Sequence, residues 1–504
     1  MEYISHPMPG TLTDRERRWL LVLVLAVVSV RLVTLGAYPL MDSTESRYGE
    51  IARKMLETGD WLVPQFDYGV PFWGKPPLSM WLSAASMSVF GVNEFAPRLP
   101  SLLAMAGCGA LVYALAAMRG GRDQALWTLA VFATTGLVFV AAGGTMTDPA
   151  LVLGTTLSMA GFWIAVHGPE ARRRAAGLAF FGGLFIGLLA KGPLALVLVF
   201  VPIVGATLWT RSWRAAAQRL PWIAGSLVAF CAAGLWYGSA ERASPGFLAY
   251  FLIGEHWKRF LEPGWTGDLY GAAHSHVRGL IWLLWIGAAL PWSIGTLVAG
   301  ARTLLCQRER LRVLAADPWI VYLALWALTP MLFFSLAGNV LIVYVLPGLP
   351  AYALLVGDLW RPGAAAGAGR APPAASLRPA VKQVIAAGGA VALLFAVVIV
   401  AMHRSFEVER SQKALVSEFS RVRPDDRSRL VYFPDRPSSA EFYSRGQARK
   451  APDAPALAPY LADAPTDFFA MREQDYGALP PDTRARLRAE GTYGSFRLLR
   501  EMPP

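Results

Sequence analysis

The stretch Met41–Trp81, MDSTESRYGEIARKMLETGDWLVPQFDYGVPFWGKPPLSMW, decides how this chain is read. It follows an apolar run, Trp19–Tyr38, and is far more polar than its flanks. It opens with two acids, Asp42 and Glu45, continues through Arg47, Tyr48 and Glu50, and closes on Gly74-Lys75-Pro76-Pro77. Leu78–Phe90, where it ends, is apolar but too short to cross a bilayer, so an interfacial helix is expected there.

Working outward, apolar runs recur at regular intervals. They fall near Leu99–Met118, Gln124–Ala141, Asp148–Val166, Ala175–Ala190, Leu194–Trp209 and Leu220–Tyr237, then near His276–Val298, Trp319–Ser335, Val340–Val356 and Val384–Met402. With the first they make about eleven spans, and the pattern predicts a polytopic α-helical membrane protein with about 11–13 transmembrane helices. Composition agrees: 55% of the 504 residues are hydrophobic and only 16% are charged, where a soluble chain carries about 25% charge. The net charge of +12 does not point to nucleic acid, because the basic residues sit in short clusters between apolar runs. These clusters are Arg119/Arg122, Arg172–Arg174, Arg211/Arg214/Arg219, Arg302–Arg312 and the Ala/Gly/Pro-rich linker Arg361–Lys382. If they face the cytoplasm, the long loops 41–97 and 238–275 and the C-terminus share the opposite face. Asp14-Arg15-Glu16-Arg17-Arg18 ahead of a long apolar run reads as an anchor rather than a cleaved signal. The three cysteines, Cys108, Cys231 and Cys306, imply no disulfide framework.

After about His403 the charge density rises and apolar runs shorten to strand length at Leu430–Phe433, Glu441–Tyr443, Phe468–Met471 and Ser495–Leu499. The expected division is a membrane domain, 1–402, and a small α/β domain, 403–504.

Several residues have the chemistry for a site. Asp42, at the membrane edge, is either a cap for a helix over Ser43–Thr58 or a carboxylate that activates a nucleophile or stabilises a developing cation. Arg47, Glu50 and Lys54 recur at helical spacing and are expected to pair. Lys75, fixed by two prolines, suits a lipid phosphate; a snorkelling lysine is the plainer reading. Asp148 opens a span, as a dipole-favoured acid or a functional one. Lys191, in Ala-Lys-Gly-Pro, is a loop anchor or a substrate contact. In Glu255-His256-Trp257-Lys258-Arg259-Phe260, the two basic side chains suit phosphate, and His256 is a base, a metal ligand or a surface residue.

Taken together these motifs resemble the bacterial lipid A aminoarabinose transferase family, within the GT-C glycosyltransferases that also include the protein mannosyltransferases. The resemblance rests on Asp42, Glu45-x-Arg47-Tyr48-x-Glu50-Ile51-Ala52, Gly59-Asp60-Trp61, Lys75-Pro76-Pro77-Leu78, Ala190-Lys191-Gly192-Pro193, Glu255-His256-x2-Arg259-Phe260 and Tyr344-x-Leu346-Pro347. It implies a GT-C-like fold with a periplasmic C-terminal α/β domain in the bacterial inner membrane. It also implies a polyprenyl-phosphate sugar donor, with 4-amino-4-deoxy-L-arabinose or another amino sugar, and lipid A as acceptor. Asp42 would be the leading catalytic carboxylate and Asp148 a second acid. Lys75, Arg259 and Tyr344 would hold the carrier, with Glu45, Arg47, Tyr48, Lys191 and His256 nearby. Two departures stand out. Gly74 replaces a glutamate that, with the loop histidine, can bind zinc in the family; His256 remains as a zinc ligand without that partner, so a metal cofactor is not the expectation. Ala337-Gly338-Asn339 replaces a Lys-Gly-Lys turn, which bears on the carrier, acceptor or sugar contacts. Rival readings are a GT-C transferase of another sugar to protein or polysaccharide, and a transporter of lipid-linked substrate; the latter predicts repeated halves and polar residues at the membrane middle.

Overall fold

The computed structural model describes residues 12–271, 275–359, 379–401, 410–463 and 465–502. Residues 361–378 of the expected linker and 403–409 lie outside the described residues. The chain forms two compact units. One comprises Met1–Val33, Pro71–Ser79 and Arg98–Leu394; the other comprises Thr34–Val70, Met80–Pro97 and Phe395–Pro504. The polar stretch after the first span thus divides between the units, and most of it folds with the C-terminal segment.

The first unit is helical. Each of the apolar runs becomes helix, but only some are uninterrupted. Among the described residues five helices are long and apolar enough to cross a bilayer, or up to six if a bent pair counts as one span. The 39-residue helix Phe95–Ala133 is broken at Gly120 and Gly121, whose φ of 80° is open to glycine. This break coincides with the basic loop expected there. It is pinned by side chains: Arg119 pairs with Asp317, and Gln124 Nε2 donates to Asp358 Oδ1 at 2.8 Å. The run His276–Val298, expected as one span, is instead Leu280–Ala288 and Trp292–Cys306, bent by 118°. Pro291, which lacks an amide donor, sits at that bend. The run near Val340–Val356 begins as a 3₁₀ helix, Ile342–Gly348, and continues as the α-helix Leu349–Leu359.

The hairpin Asp148–His167 and Glu170–Lys191 matters most for the site. Small residues let the two backbones touch: a Cβ on Gly154 would come within 2.7 Å of Gly183 O and Gly187 N. Antiparallel packing brings the start of the first helix beside the end of the second, so Asp148 and Lys191 meet. An acid at a helix N-terminus and a base at a C-terminus are each favoured by the dipole.

In the second unit the helix over the expected Ser43–Thr58 is Thr44–Thr58. Its fully buried Lys54 reaches Glu441 at 2.6 Å and donates to Phe66 O at 2.8 Å. Glu50 was expected to pair with Arg47 and Lys54; its close partner is Arg53, at 2.7 Å, with Lys54 at 3.7 Å. The C-terminal part is a five-stranded sheet of β1 (Leu430–Phe433), β2 (Arg449–Lys450), β3 (Phe468–Arg472), β4 (Leu487–Tyr493) and β5 (Phe496–Glu501), in the order β2-β1-β3-β5-β4. β2, β1 and β3 run parallel, and β5 is antiparallel to both β3 and β4. Alternation sorts the core between the faces. Leu430, Tyr432, Phe468 and Leu498 pack on one side, and Val431, Phe469, Met471 and Leu499 on the other. Glu441–Tyr443, expected as a strand, is instead the end of a helix, Ser438–Tyr443; three residues are too few for periodicity to separate the two.

Candidate functional site

The first unit holds a pocket of about 310 Å³ lined by Lys75, Lys191, Glu255, His256, Arg259, Asn339 and Tyr344, with Leu194, Val197, Phe260, Phe333 and Phe334. Residues scattered over 270 positions of sequence meet here. Lys75 follows the Pro71–Trp73 segment, which Tyr270 fastens by donating to Pro71 O at 2.8 Å and accepting from Trp73 N at 2.9 Å. Lys191 ends the helical hairpin described above. Glu255 and His256 lie on a π-helix, Tyr250–Lys258, a rare wide turn that is frequent at functional sites.

Four ion pairs set the electrostatics. Lys191 Nζ meets Asp148 Oδ1 at 2.6 Å and lies 5.2 Å over the Tyr344 ring. Lys75 Nζ reaches Glu255 Oε2 at 2.9 Å and Gly74 O at 2.6 Å. Arg259 Nη1 contacts Glu255 Oε1 at 2.9 Å and Asp268 Oδ2 at 3.3 Å. Burial pushes the Glu255 carboxyl up, but Lys75 and Arg259 outweigh it and hold the group below the usual carboxylate range. Glu255 is thus an ionised brace between two cations. Donors remain: an ammonium has three N–H groups, and the Arg259 Nε is buried with no hydrogen-bond partner among the described residues. Aromatic rings form the apolar wall, with Phe260 and Phe333 stacked at 4.7 Å and Phe334 and Tyr344 at 4.5 Å. A cationic end joined to an apolar wall fits a phosphate on a hydrocarbon chain.

The pocket does not fit a zinc ion. His256 is already engaged on both sides of its ring. Its Nδ1 faces Phe251 O at 2.8 Å and its Nε2 faces Lys191 O at 3.1 Å, so neither ring nitrogen is turned to a metal. A Cβ on Gly74 would lie 2.9 Å from the Phe72 ring and 3.4 Å from Tyr270, so a side chain where the glutamate would stand has to displace Phe72.

Asp42 belongs to the second unit. Its Oδ1 accepts from Ser46 Oγ at 2.7 Å and Ser439 N at 2.9 Å, and its Oδ2 accepts from Ser439 Oγ. It does not cap the helix backbone, as one sequence reading had it. Burial raises its pKa, and the hydrogen bonds from Ser439 and Ser46 oppose that rise. Glu45, Arg47 and Tyr48 lie on the first turns of the same helix, where Glu45 Oε2 accepts from Met41 N at 3.2 Å. Lys258 is exposed. The structure therefore brings together Asp148, Lys191, Lys75, His256, Arg259 and Tyr344 in one unit, and Asp42, Glu45, Arg47 and Tyr48 in the other. Sequence reasoning gave no role to Glu255, Asp268 or Ser439. The i,i+4 spacing of Glu255 and Arg259 was a usable signal for the first; nothing local marked the other two.

The comparisons with known proteins agree with this architecture. Residues 17–238 match the family model described as dolichyl-phosphate-mannose-protein mannosyltransferase. Over 348 residues the chain is 32% identical to the undecaprenyl phosphate-alpha-4-amino-4-deoxy-L-arabinose arabinosyl transferase of Pseudomonas paraeruginosa, a match covering 68% of this chain and 60% of that protein. A counterpart from Pseudomonas fluorescens is 31% identical over 354 residues, 69% of this chain and 58% of its own. The matched stretch thus spans about three fifths of the length of these relatives. The crystal structure of ArnT from Cupriavidus metallidurans bound to undecaprenyl phosphate superposes with a TM-score of 0.79 at 19% identity, over 97% of this chain and 99% of that one. Its apo state gives the same score at 20% identity. In fold the chain matches the ArnT structures and carries several helices long and apolar enough to cross a bilayer, and in sequence it is a relative of the undecaprenyl phosphate-aminoarabinose arabinosyl transferases.

Proposed function

We propose that this protein is a glycosyltransferase that moves a sugar, 4-amino-4-deoxy-L-arabinose or a close amino sugar, from a polyprenyl phosphate to lipid A on the periplasmic face of the bacterial inner membrane. The observation that carries the reading is the pocket that joins Lys75, Lys191 and Arg259 to an aromatic wall. Relatives named for undecaprenyl-phosphate aminoarabinose transfer support it.

The reaction is a single displacement. An acceptor oxygen attacks the anomeric carbon, the bond from that carbon to the carrier phosphate breaks, and the electron pair leaves with polyprenyl phosphate. Lys75 and Arg259 stabilise the charge that grows on the phosphate. Asp42 takes the proton if the acceptor is a hydroxyl; if the acceptor is a phosphate, already anionic, Asp42 orients it. Asp148 holds Lys191 in place through their 2.6 Å pair. No step runs through a metal.

The test is mass spectrometry of lipid A from cells with and without the protein, and from cells carrying Lys75→Ala. A pentosamine increment present only with the unaltered protein is the expected result. Identical lipid A in all three refutes the acceptor.

A further inference from the structure

The Ala337-Gly338-Asn339 turn places an uncharged amide in a pocket otherwise dominated by ion pairs. Asn339 is 4% exposed and lines the cavity with Lys75, Lys191, Arg259 and Tyr344. Both amide atoms, Oδ1 and Nδ2, are buried, and neither has a hydrogen-bond partner among the described residues. A buried amide without partners is costly, and such groups are normally satisfied by protein, water or ligand. The turn is held in place. Gly338 N donates to Phe260 O at 3.2 Å, Gly338 O accepts from His276 N at 3.0 Å, and a Cβ on Gly338 would come within 2.7 Å of Pro263. Asn339 is therefore presented to the pocket by a fixed backbone.

The chemistry of the amide says what meets it. The oxygens of an ionised phosphate only accept, and the neighbouring ammonium and guanidinium groups, which only donate, already suit them. An uncharged donor beside an uncharged acceptor matches groups that both give and take hydrogen bonds, the hydroxyls and amine of a sugar ring. We propose that Asn339 is a specificity-determining contact to the sugar of the donor. Oδ1 accepts from a ring hydroxyl or amino group, and Nδ2 donates to a sugar oxygen. This rests on the transfer reading above and adds a discrimination to it. The loaded carrier satisfies the amide, whereas the spent carrier leaves it bare. The pocket thus prefers substrate to product, and the spent lipid is released more readily.

The experiment uses the full chain in detergent and two radiolabelled probes, undecaprenyl phosphate and undecaprenyl phosphate carrying one aminopentose. The unaltered protein should bind the loaded carrier more tightly. Asn339→Ala should weaken loaded-carrier binding by about tenfold or more while changing bare-carrier binding less than about twofold. Asn339→Asp, which keeps the acceptor, should retain part of the preference. Equal weakening toward both carriers would assign Asn339 to the phosphate or to pocket structure and overturn the proposal. So would no change toward either carrier. If the unaltered protein binds neither carrier, the transfer reading itself falls, and this inference falls with it.

Discussion

Replacing Ser439 by alanine should make Asp42 harder to ionise, and the size of the effect follows from its hydrogen bonds. The carboxylate accepts from Ser46 Oγ, Ser439 N and Ser439 Oγ. Ser439→Ala removes the last of these alone. A hydrogen bond to a charged group contributes about 1.5–3 kcal/mol. Asp42 is only partly buried, which favours the lower end of that range. At about 1.4 kcal/mol per tenfold change, the acidic limb of the pH–rate profile should move up by about one pH unit. The sign follows from the ionised form being the active one. A hydrogen bond to the carboxylate lowers its pKa, so losing the bond raises a value that burial has already raised, and activity fails at a higher pH as the medium is acidified. The assay is kcat/KM for sugar transfer from about pH 5 to 9. Ser439 Oγ also accepts from Gln412 N at 2.9 Å, so some loss of stability is expected. Ser439→Thr, which restores a hydroxyl, should return the limb to its original position. Superimposable limbs for the unaltered protein and Ser439→Ala would refute the reasoning.

Two further outcomes follow from the pocket. Lys191→Met strips Asp148 of its 2.6 Å partner and should cost about 3–5 kcal/mol, read as a lower melting temperature, while Asp148→Asn/Lys191→Met should recover much of it; a double variant as unstable as the single one would show that the pair is not coupled. Chelators should leave transfer unchanged, and Gly74→Glu should not create a zinc site, since Phe72 and Tyr270 occupy that space and both His256 nitrogens face carbonyl oxygens; stoichiometric zinc in the purified Gly74→Glu protein would contradict this.

What the sequence made legible depended on the distance over which each feature is determined. The helices over Leu78–Phe90, Leu194–Trp209 and Asp148–His167 could be read because their length and apolarity are local. The 118° bend at Pro291 could not, because the flanking residues stay apolar whether the helix continues or turns. In the C-terminal sheet, Leu430–Phe433 was readable from its run of apolar residues. β4, Leu487–Tyr493, was not, since it lies at the sheet edge and carries mostly exposed side chains. Of the site, the cations were visible as short motifs beside proline and glycine. Their pairings were not: Glu255 reaches Lys75 across 180 positions, and Asp148, itself visible as an acid, meets Lys191 across 43.

The second unit is stitched from the beginning and the end of the chain, and this fixes an order of events during synthesis. Asp42 emerges early, yet the serine that holds its carboxylate lies 397 positions later. At ribosomal speeds of about 5–20 residues per second, the interval is about 20–80 seconds. Throughout that time the intervening helices have been made while the aspartate lacks its mature setting. The protein therefore carries a built-in delay, in which this buried acid acquires its final surroundings only when most of the chain has been made.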